Sequence, residues 1–302
     1  MDVSIIIVNY KTGNFLIDCI KSIIDKTDGI RYEIIVVDNN SEPDIEEKVI
    51  GTIQKSKSIN LKFIELNQNI GFGKANNKAL EIADGRNIFF LNPDTLLINN
   101  ALKILSEFLD KTPDAGACGG NIYSSNLEPS FSYKMFFPGV LWETDEFLHG
   151  IPKKILYGKN RDFNHSDKIK EVSFISGAAI MVRKNVIQSI GGFDPDFFMF
   201  FEDTDLCFRI NKTGWKLFNL PAAQIIHLSG GSFKEILPNN SEYKIALMEK
   251  SRMLYYKKLM KPLRRYISHF LYNLFLISRV ILVSDKDKKD YYKQRLKYFM
   301  NE

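Results

Sequence analysis

Asp94 follows the apolar run Ile88-Phe89-Phe90-Leu91 and the turn signal Asn92-Pro93. An apolar run of that length, closed by a turn, predicts a buried central strand. Pro93 cannot continue a ladder and pushes Asn92 into an extended conformation. The strand therefore ends there and delivers Asp94 to its carboxyl edge, where open α/β sheets bind ligands. A carboxylate in that place suits a divalent cation on a phosphorylated ligand. The structural alternative is a cap on the next helix, read over Asn99 to Lys111. A second acidic group, Glu202-Asp203-Thr204-Asp205, follows the aromatic-rich stretch Phe197 to Phe201. Carboxylates beside an apolar wall have raised pKa values and act as bases near neutral pH. The alternative is a helix start, with Asp203 as the cap and Asp205 favoured by the macrodipole. His227 closes the stretch Gln224 to His227. A lone histidine is more often structural than a ligand, but at a strand end with Asp94 nearby it becomes a metal-ligand candidate.

The elements that must position these groups alternate. Val3 to Asn9, Glu33 to Val37, Leu61 to Leu66 and the strand ending at Asn92 read as strands. Phe15 to Ile24 has helical spacing on one apolar face, and Pro43 sits near the start of a second helix. Asn69-Ile70-Gly71-Phe72-Gly73 reads as a loop opening a helix through Ala83. Short links between alternating strands and helices predict an α/β fold with a mostly parallel, Rossmann-like sheet flanked by helices. Asn9 and Tyr10, Asp38 and Asn39, and Asn92 and Asp94 then emerge at one sheet edge, which is a nucleotide site in outline. The Gly71-Phe72-Gly73 loop brings backbone N–H groups within reach of a ribose or phosphate. Further strand character lies at Ala115 to Tyr123, Val172 to Val182, Trp215 to Leu220 and Gln224 to His227. Leu206 to Lys212 reads as a helix ended by Gly214. Residues 124 to 168 break the rhythm and resist assignment.

The composition is that of a globular protein, 45% hydrophobic and 25% charged. The net charge of +5 is uneven. From Lys250 onward there are 14 Lys/Arg against 4 Asp/Glu, and before it 27 against 32. An acidic body with a basic, helical tail predicts a tail that meets something anionic. Residues 1–235 are expected to form the catalytic sheet domain and 236–302 a helical extension packed on or next to it. Tyr266 to Val283 is too short and too interrupted for a spanning helix. Its basic flanks suit docking on an anionic membrane surface instead. The three cysteines match no metal or redox spacing and are expected to be free thiols. No leader-like segment opens the chain. The expectation is a cytoplasmic protein, peripheral on the inner face of the membrane.

The chain resembles the inverting glycosyltransferases of family 2, which have the GT-A fold, and among them the rhamnosyltransferase-like branch. The resemblance rests on an ordered set of short motifs: Val3 to Tyr10; Val36-Val37-Asp38-Asn39-Asn40-Ser41; Asn69 to Asn77; Leu91-Asn92-Pro93-Asp94; Gly177-Ala178-Ala179; Gly192-Phe193-Asp194 with Phe198 to Phe201; Glu202 to Leu206; and His227. It implies that Asn9, Tyr10 and Asp38 hold the nucleoside of a nucleotide sugar. It places Asn40, Gly71, Phe72, Gly73, Asn76, Asn92 and Gly177 at the same site. Asp94 becomes the surviving acid of the family's DxD motif and binds Mn²⁺ or Mg²⁺ on the diphosphate, with His227 as a further ligand. Asn92 departs from the strict motif and leaves one charge fewer at the metal. Asp203 becomes the base that deprotonates the acceptor hydroxyl, with Glu202 beside it. The implied partners are a nucleotide-sugar donor, UDP- or dTDP-linked, with dTDP-rhamnose as one candidate, and a glycan or lipid-linked saccharide acceptor. Nucleic acid is not an expected partner, and a homodimer is left open. The rival reading is a non-enzymatic protein on a nucleotide-binding fold that uses its basic tail on nucleic acid or membrane. It leaves Asp94, Asp203 and His227 without a joint purpose.

Overall fold

A computed structural model describes residues 1–41, 44–53, 60–228 and 242–301. The chain opens with β1 (Val3–Asn9), α1 (Gly13–Lys26), β2 (Tyr32–Asp38), α2 (Ile45–Ile53), β3 (Asn60–Glu65), α3 (Phe72–Leu80) and β4 (Asn87–Leu91). It continues with β5 (Thr95–Leu97), α4 (Ala101–Lys111), β6 (Ala115–Tyr123), β7 (Tyr133–Lys134), α5 (Val140–Phe147) and α6 (Ile151–Tyr157). Then come β8 (Lys170–Val172), β9 (Phe174–Ile175), β10 (Ala179–Arg183), α7 (Lys184–Ser189), α8 (Glu202–Lys212) and β11 (Lys216–His227). Three tail helices close the chain: α9 (Glu242–Leu259), α10 (Pro262–Leu282) and α11 (Lys286–Asn301).

The central strands follow from their sequences. β1 and β4 are buried along their whole length, as apolar runs covered by helices on both faces must be. β3 carries Asn60, Lys62 and Glu65 and is the half-exposed edge. Strand order in the main sheet is β3-β2-β1-β4-β10-β6-β11-β5, with β8 also on β11. The first four strands are parallel. β10 runs antiparallel between β4 and β6, so the sheet is mixed, and its start meets the carboxyl end of β4. One face packs α1 and α4 through Leu16, Cys19, Ile20, Leu102 and Leu105. The other packs α3, α7 and α8 through Ala75, Ala79, Val186, Leu206 and Ile210. All three cysteines are free and buried.

Several sequence expectations change here. Trp215 to Leu220 and Gln224 to His227 belong to one strand, β11, with a register shift between Leu220 and Gln224 that accommodates Pro221. Val172 to Val182 divides into β8, β9 and β10. Helix α8 begins at Glu202, one turn before the expected Leu206. Asp94 does not cap α4: Asn100 does, accepting from the Lys103 N–H, while Asp94 leads into β5. Asp203 is not the cap of α8 either, because Phe201 holds that position in left-handed backbone. The irregular insert contains β7, α5 and α6. Pro43 lies outside the described residues, as does the expected division between 235 and 236.

The tail helices form a third core with Phe197, Tyr255, Tyr256, Tyr272 and Phe299. A buried charged network ties them together. Arg252 donates to Glu143 of α5 at 3.0 Å, Arg295 donates to Glu249 at 2.6 Å, and the Tyr272 hydroxyl donates to Glu249 at 2.8 Å. Breaking one partner of such a set is strongly destabilising, because a buried charge is left alone. Among the described residues, no helix is long and apolar enough to cross a membrane.

Candidate active site

The strand ends converge as their register demands. Asn9 lies opposite Asp38 in the parallel β1–β2 pair. The Asn9 amide donates to Asp38 Oδ1 at 2.8 Å and to Ser41 Oγ at 3.0 Å, and the Ser41 N–H donates to Asp38 Oδ2 at 2.8 Å. The Thr12 hydroxyl donates to Asn9 Oδ1 at 2.8 Å. Asn9 and Asp38 are thus buried and brace the two loops, while Tyr10, Thr12 and Asn39 line the cavity above. Asn40 is exposed in left-handed backbone and does not line that cavity.

Asp94 and His227 meet through long-range pairing. Antiparallel β5 and β11 set Thr95 opposite His227, and the Leu228 N–H donates to the Asp94 carbonyl at 2.9 Å. The outcome is a His227 Nε2 to Asp94 Oδ1 distance of 3.3 Å. Neighbouring ligands on an octahedral cation with bonds of about 2.1 Å stand about 3 Å apart. A hard carboxylate oxygen and an imidazole nitrogen also match the donor preferences of Mn²⁺ and Mg²⁺. The pair therefore fits such an ion. Among the described residues, no third His, Cys, Asp or Glu completes a cluster.

The Asn69 to Asn77 motif turns out to be mostly scaffolding. Asn39 donates to Asn69 Oδ1 at 2.9 Å and accepts from the Ile70 N–H at 3.0 Å. Gly71 has φ +89°, and a Cβ there would lie 2.6 Å from the Phe198 carbonyl oxygen. The Phe72 N–H donates to that same oxygen at 3.0 Å, so the loop spends this donor on residues 193–201 and not on the cavity. Gly73 packs against Phe193. The Asn76 amide turns back to the Phe72 carbonyl of its own helix at 3.0 Å and is buried. Phe72 alone of Gly71, Phe72, Gly73 and Asn76 lines the cavity. Asn77, the last residue of the motif, clamps both backbone groups of Phe193 at 2.8 and 2.9 Å.

The acid pair opens α8 immediately after Phe200 and Phe201, which both have positive φ. Asp203 accepts from the Gly177 N–H at 3.0 Å and from the Thr204 N–H at 2.7 Å. Gly177 is the one residue type that permits this approach, because a Cβ would lie 2.7 Å from Asp203 Cβ and Oδ2. Gly177 therefore serves the acid and does not line the cavity. The next carbonyl, of Ala178, accepts from the Asn92 N–H at 2.9 Å. Two hydrogen bonds thus link Asp203 to the turn that carries Asp94. Burial raises the pKa of both acids, and the Asp203 charge pushes Glu202 further, to about 8. The N–H donors on Asp203 favour its charged form, whereas Glu202 Oε2 is buried without a hydrogen-bond partner. Of the two, the N–H donors favour the negative charge on Asp203, and burial beside that charge favours the proton on Glu202.

The cavity at this edge measures about 450 Å³. Tyr10, Thr12, Asn39, Phe72, Asn92, Asp94 and His227 line one side, and Phe198, Met199 and Phe200 another. The tail adds Tyr243, Lys244 and Leu247. These three were absent from the sequence reading. Their helical spacing marks a face of α9, but only packing decides that this face meets the sheet edge.

The family model described as glycosyl transferase family 2 matches residues 4–191, and that of glycosyl transferase family group 2 matches residues 156–301. An N-acetylglucosaminyl-diphospho-decaprenol L-rhamnosyltransferase of Mycobacterium tuberculosis is 25% identical over 189 residues, which are 56% of this chain and 59% of that protein. Rhamnosyltransferase WbbL of Escherichia coli is 28% identical over 167 residues, 52% of this chain and 60% of that one. The match thus spans about three fifths of the length of these relatives. The mannosyltransferase PcManGT from Pyrobaculum calidifontis, solved with GDP-Man and Mn²⁺, superposes with a TM-score of 0.61 at 14% identity, covering 99% of this chain and 84% of that one. That likeness carries the GT-A fold.

Proposed function

The chain belongs to glycosyl transferase family 2, and from that premise we propose that it moves a sugar from a nucleoside-diphosphate sugar to a glycan or lipid-linked saccharide, with inversion, in cell-surface polysaccharide assembly. The observation that carries this reading is the convergence of Asp94 and His227 at 3.3 Å on the cavity, with Asp203 tied to the same turn through Gly177 and Ala178. The relatives' names support a deoxyhexose donor such as dTDP-rhamnose.

Each group then has a task. Tyr10, Asn39 and Phe72 offer an aromatic and amide surface for the base and ribose, and the Asn9–Asp38 pair keeps that surface in place. Asp94 and His227 would hold Mn²⁺ or Mg²⁺, which when bound neutralises charge on the departing nucleoside diphosphate. Asp203 takes the proton of the acceptor hydroxyl as that oxygen attacks the anomeric carbon. Its oriented N–H donors hold the carboxylate in one geometry before the reaction begins. Glu202, protonated beside it, adds no competing charge. A single displacement from the face opposite the leaving group inverts the anomeric centre.

A second reading concerns location. Leu263, Tyr266, Phe270, Ile277 and Ile281 of α10 are exposed at helical spacing, beside Lys261, Arg264 and Arg265. An apolar stripe with basic flanks suits peripheral docking on anionic lipid.

A thermal-shift panel of UDP-, dTDP- and GDP-sugars, with and without Mn²⁺, tests the main proposal. A ligand at 100 times its Kd stabilises by about 2.7 kcal/mol, which is several degrees for a domain of this size. The expected result is a shift for a UDP- or dTDP-sugar that needs the cation. No shift from any member, or one indifferent to the cation, refutes it.

A further inference from the structure

A larger cavity, of about 700 Å³, lies beside the donor cavity and shares Phe198, Tyr243 and Leu247 with it. It is set between α9, the start of α10 and the loop before α8. That volume is in the range that takes a small-molecule ligand. Its charge is distinctive. Lys250 and Lys257 project from one stripe of α9, and Arg265 faces them from α10. Among the described residues, none of the three is in a salt bridge with a carboxylate. The acid on the rim, Asp196, is already taken by Lys258 at 2.5 Å. The remaining wall is greasy, with Phe198, Leu247 and Leu254. Just outside, Leu263, Tyr266 and Phe270 are exposed on the neighbouring stripe of α10.

Three cations facing an apolar wall select a ligand that is anionic at one end and hydrocarbon at the other. Continuity with the donor cavity sets that ligand next to the sugar being transferred. We infer that Lys250, Lys257 and Arg265 bind the phosphate or diphosphate joining an acceptor saccharide to its lipid chain. The chain's first isoprenoid or alkyl units lie along Phe198, Leu247 and Leu254. This inference rests on the glycosyltransferase reading, narrows its acceptor to the lipid-linked class and gives that acceptor's anionic linkage a site. It also assigns a function to the three basic residues that line this cavity.

The test is calorimetric titration of the full chain with farnesyl diphosphate, inorganic diphosphate and farnesol. Farnesyl diphosphate should bind most tightly. Arg265→Ala and Lys257→Ala should each weaken it ~tenfold, as loss of a charge-assisted contact does, and the Lys250→Ala/Lys257→Ala/Arg265→Ala triple more than either. Two of the three side chains are exposed and none lines the donor cavity, so nucleotide-sugar affinity should survive in the triple variant. Equal farnesyl diphosphate affinity in wild type and triple variant overturns the site. Farnesol binding as tightly as farnesyl diphosphate overturns the anion assignment. Inorganic diphosphate binding as tightly overturns the lipid-linked acceptor and leaves a free-anion site. If wild type takes nucleotide sugar but no farnesyl diphosphate, only this inference fails. If it takes no nucleotide sugar, the glycosyltransferase reading fails first.

Discussion

Replacing Gly177 by alanine separates two roles for the Gly177-Ala178-Ala179 segment. A Cβ at 177 would sit 2.7 Å from Asp203 Cβ and Oδ2 and 3.0 Å from Cγ. Comfortable carbon contacts begin near 3.5 Å. The carboxylate must therefore withdraw by roughly 1 Å, and its 3.0 Å bond from the Gly177 N–H is lost or bent. A displacement of that size at a reacting group costs ~10²-fold in rate. Overpacking of a tight contact costs about 1–3 kcal/mol of stability, which urea unfolding will register. The assay compares turnover at saturating donor and acceptor with nucleotide-sugar affinity in the same preparation. Turnover should fall ~10²-fold with affinity nearly unchanged. Normal turnover in a folded Gly177→Ala variant would refute the placement of Asp203 at the chemistry. Parallel loss of affinity and turnover would return Gly177 to the donor site, where the family resemblance puts it.

Other outcomes follow from the same geometry. Asp94→Ala should abolish the metal-dependent part of nucleotide binding by calorimetry. His227→Ala should only weaken it, because imidazole brings no charge; an unaltered Asp94→Ala variant would remove the cation site. Asp203→Asn should lose ~10²–10⁴ in turnover with donor affinity intact. Glu202→Gln, which keeps a protonated acid's shape, should be mild; the reverse ranking makes Glu202 the base. Burial holds Glu202 at about 8 in the folded chain, so it keeps a proton there that the unfolded chain gives up near pH 4.5. Its contribution to stability is full below about pH 4.5 and is lost as pH rises through about 8. Glu202→Gln should flatten that part of a pH series of unfolding curves, leaving the share of Glu143, also raised to about 8 by burial. In flotation assays the chain should follow anionic vesicles and release them as salt rises. Equal affinity for neutral vesicles would argue against the basic face of α10.

The sheet was legible because its information is local. Asn9 and Asp38 end neighbouring apolar runs, and parallel strands in register bring such ends together. The approach of His227 to Asp94 was less so. It depends on β5, three residues long, pairing with the far end of a strand whose sequence pattern Pro221 interrupts. The Asn76 amide turns inward for a simple reason: one turn into a helix it has a carbonyl of that helix within reach. The resemblance places Gly71 and Gly177 at the nucleotide-sugar site, and in the fold a Cβ at either would meet protein, the Phe198 backbone and the Asp203 side chain. The insert from 124 to 168 could not be read, since its order comes from afar. Glu143 is held by Arg252, over a hundred residues later.

Phe200 and Phe201, with φ of +67° and +64°, have a wider consequence. Two successive bulky residues in that conformation cost about 1–3 kcal/mol each, and helix α9 is one of the elements that hold them. Helix α9 grips the turn at three points. The Ser251 hydroxyl donates to the Met199 carbonyl at 2.7 Å, Arg252 lies 5.3 Å from the Phe201 ring centre, and Tyr255 packs on the same ring. Heredity of the active turn is therefore split between two distant stretches of sequence. The tail cannot be exchanged between relatives as an independent module unless Ser251, Arg252 and Tyr255 travel with it. A chimera carrying a foreign tail should keep a folded sheet and nucleotide affinity but lose turnover, and restoring those three residues should recover it. Swapped tails without them that retain full turnover would show that the turn holds itself.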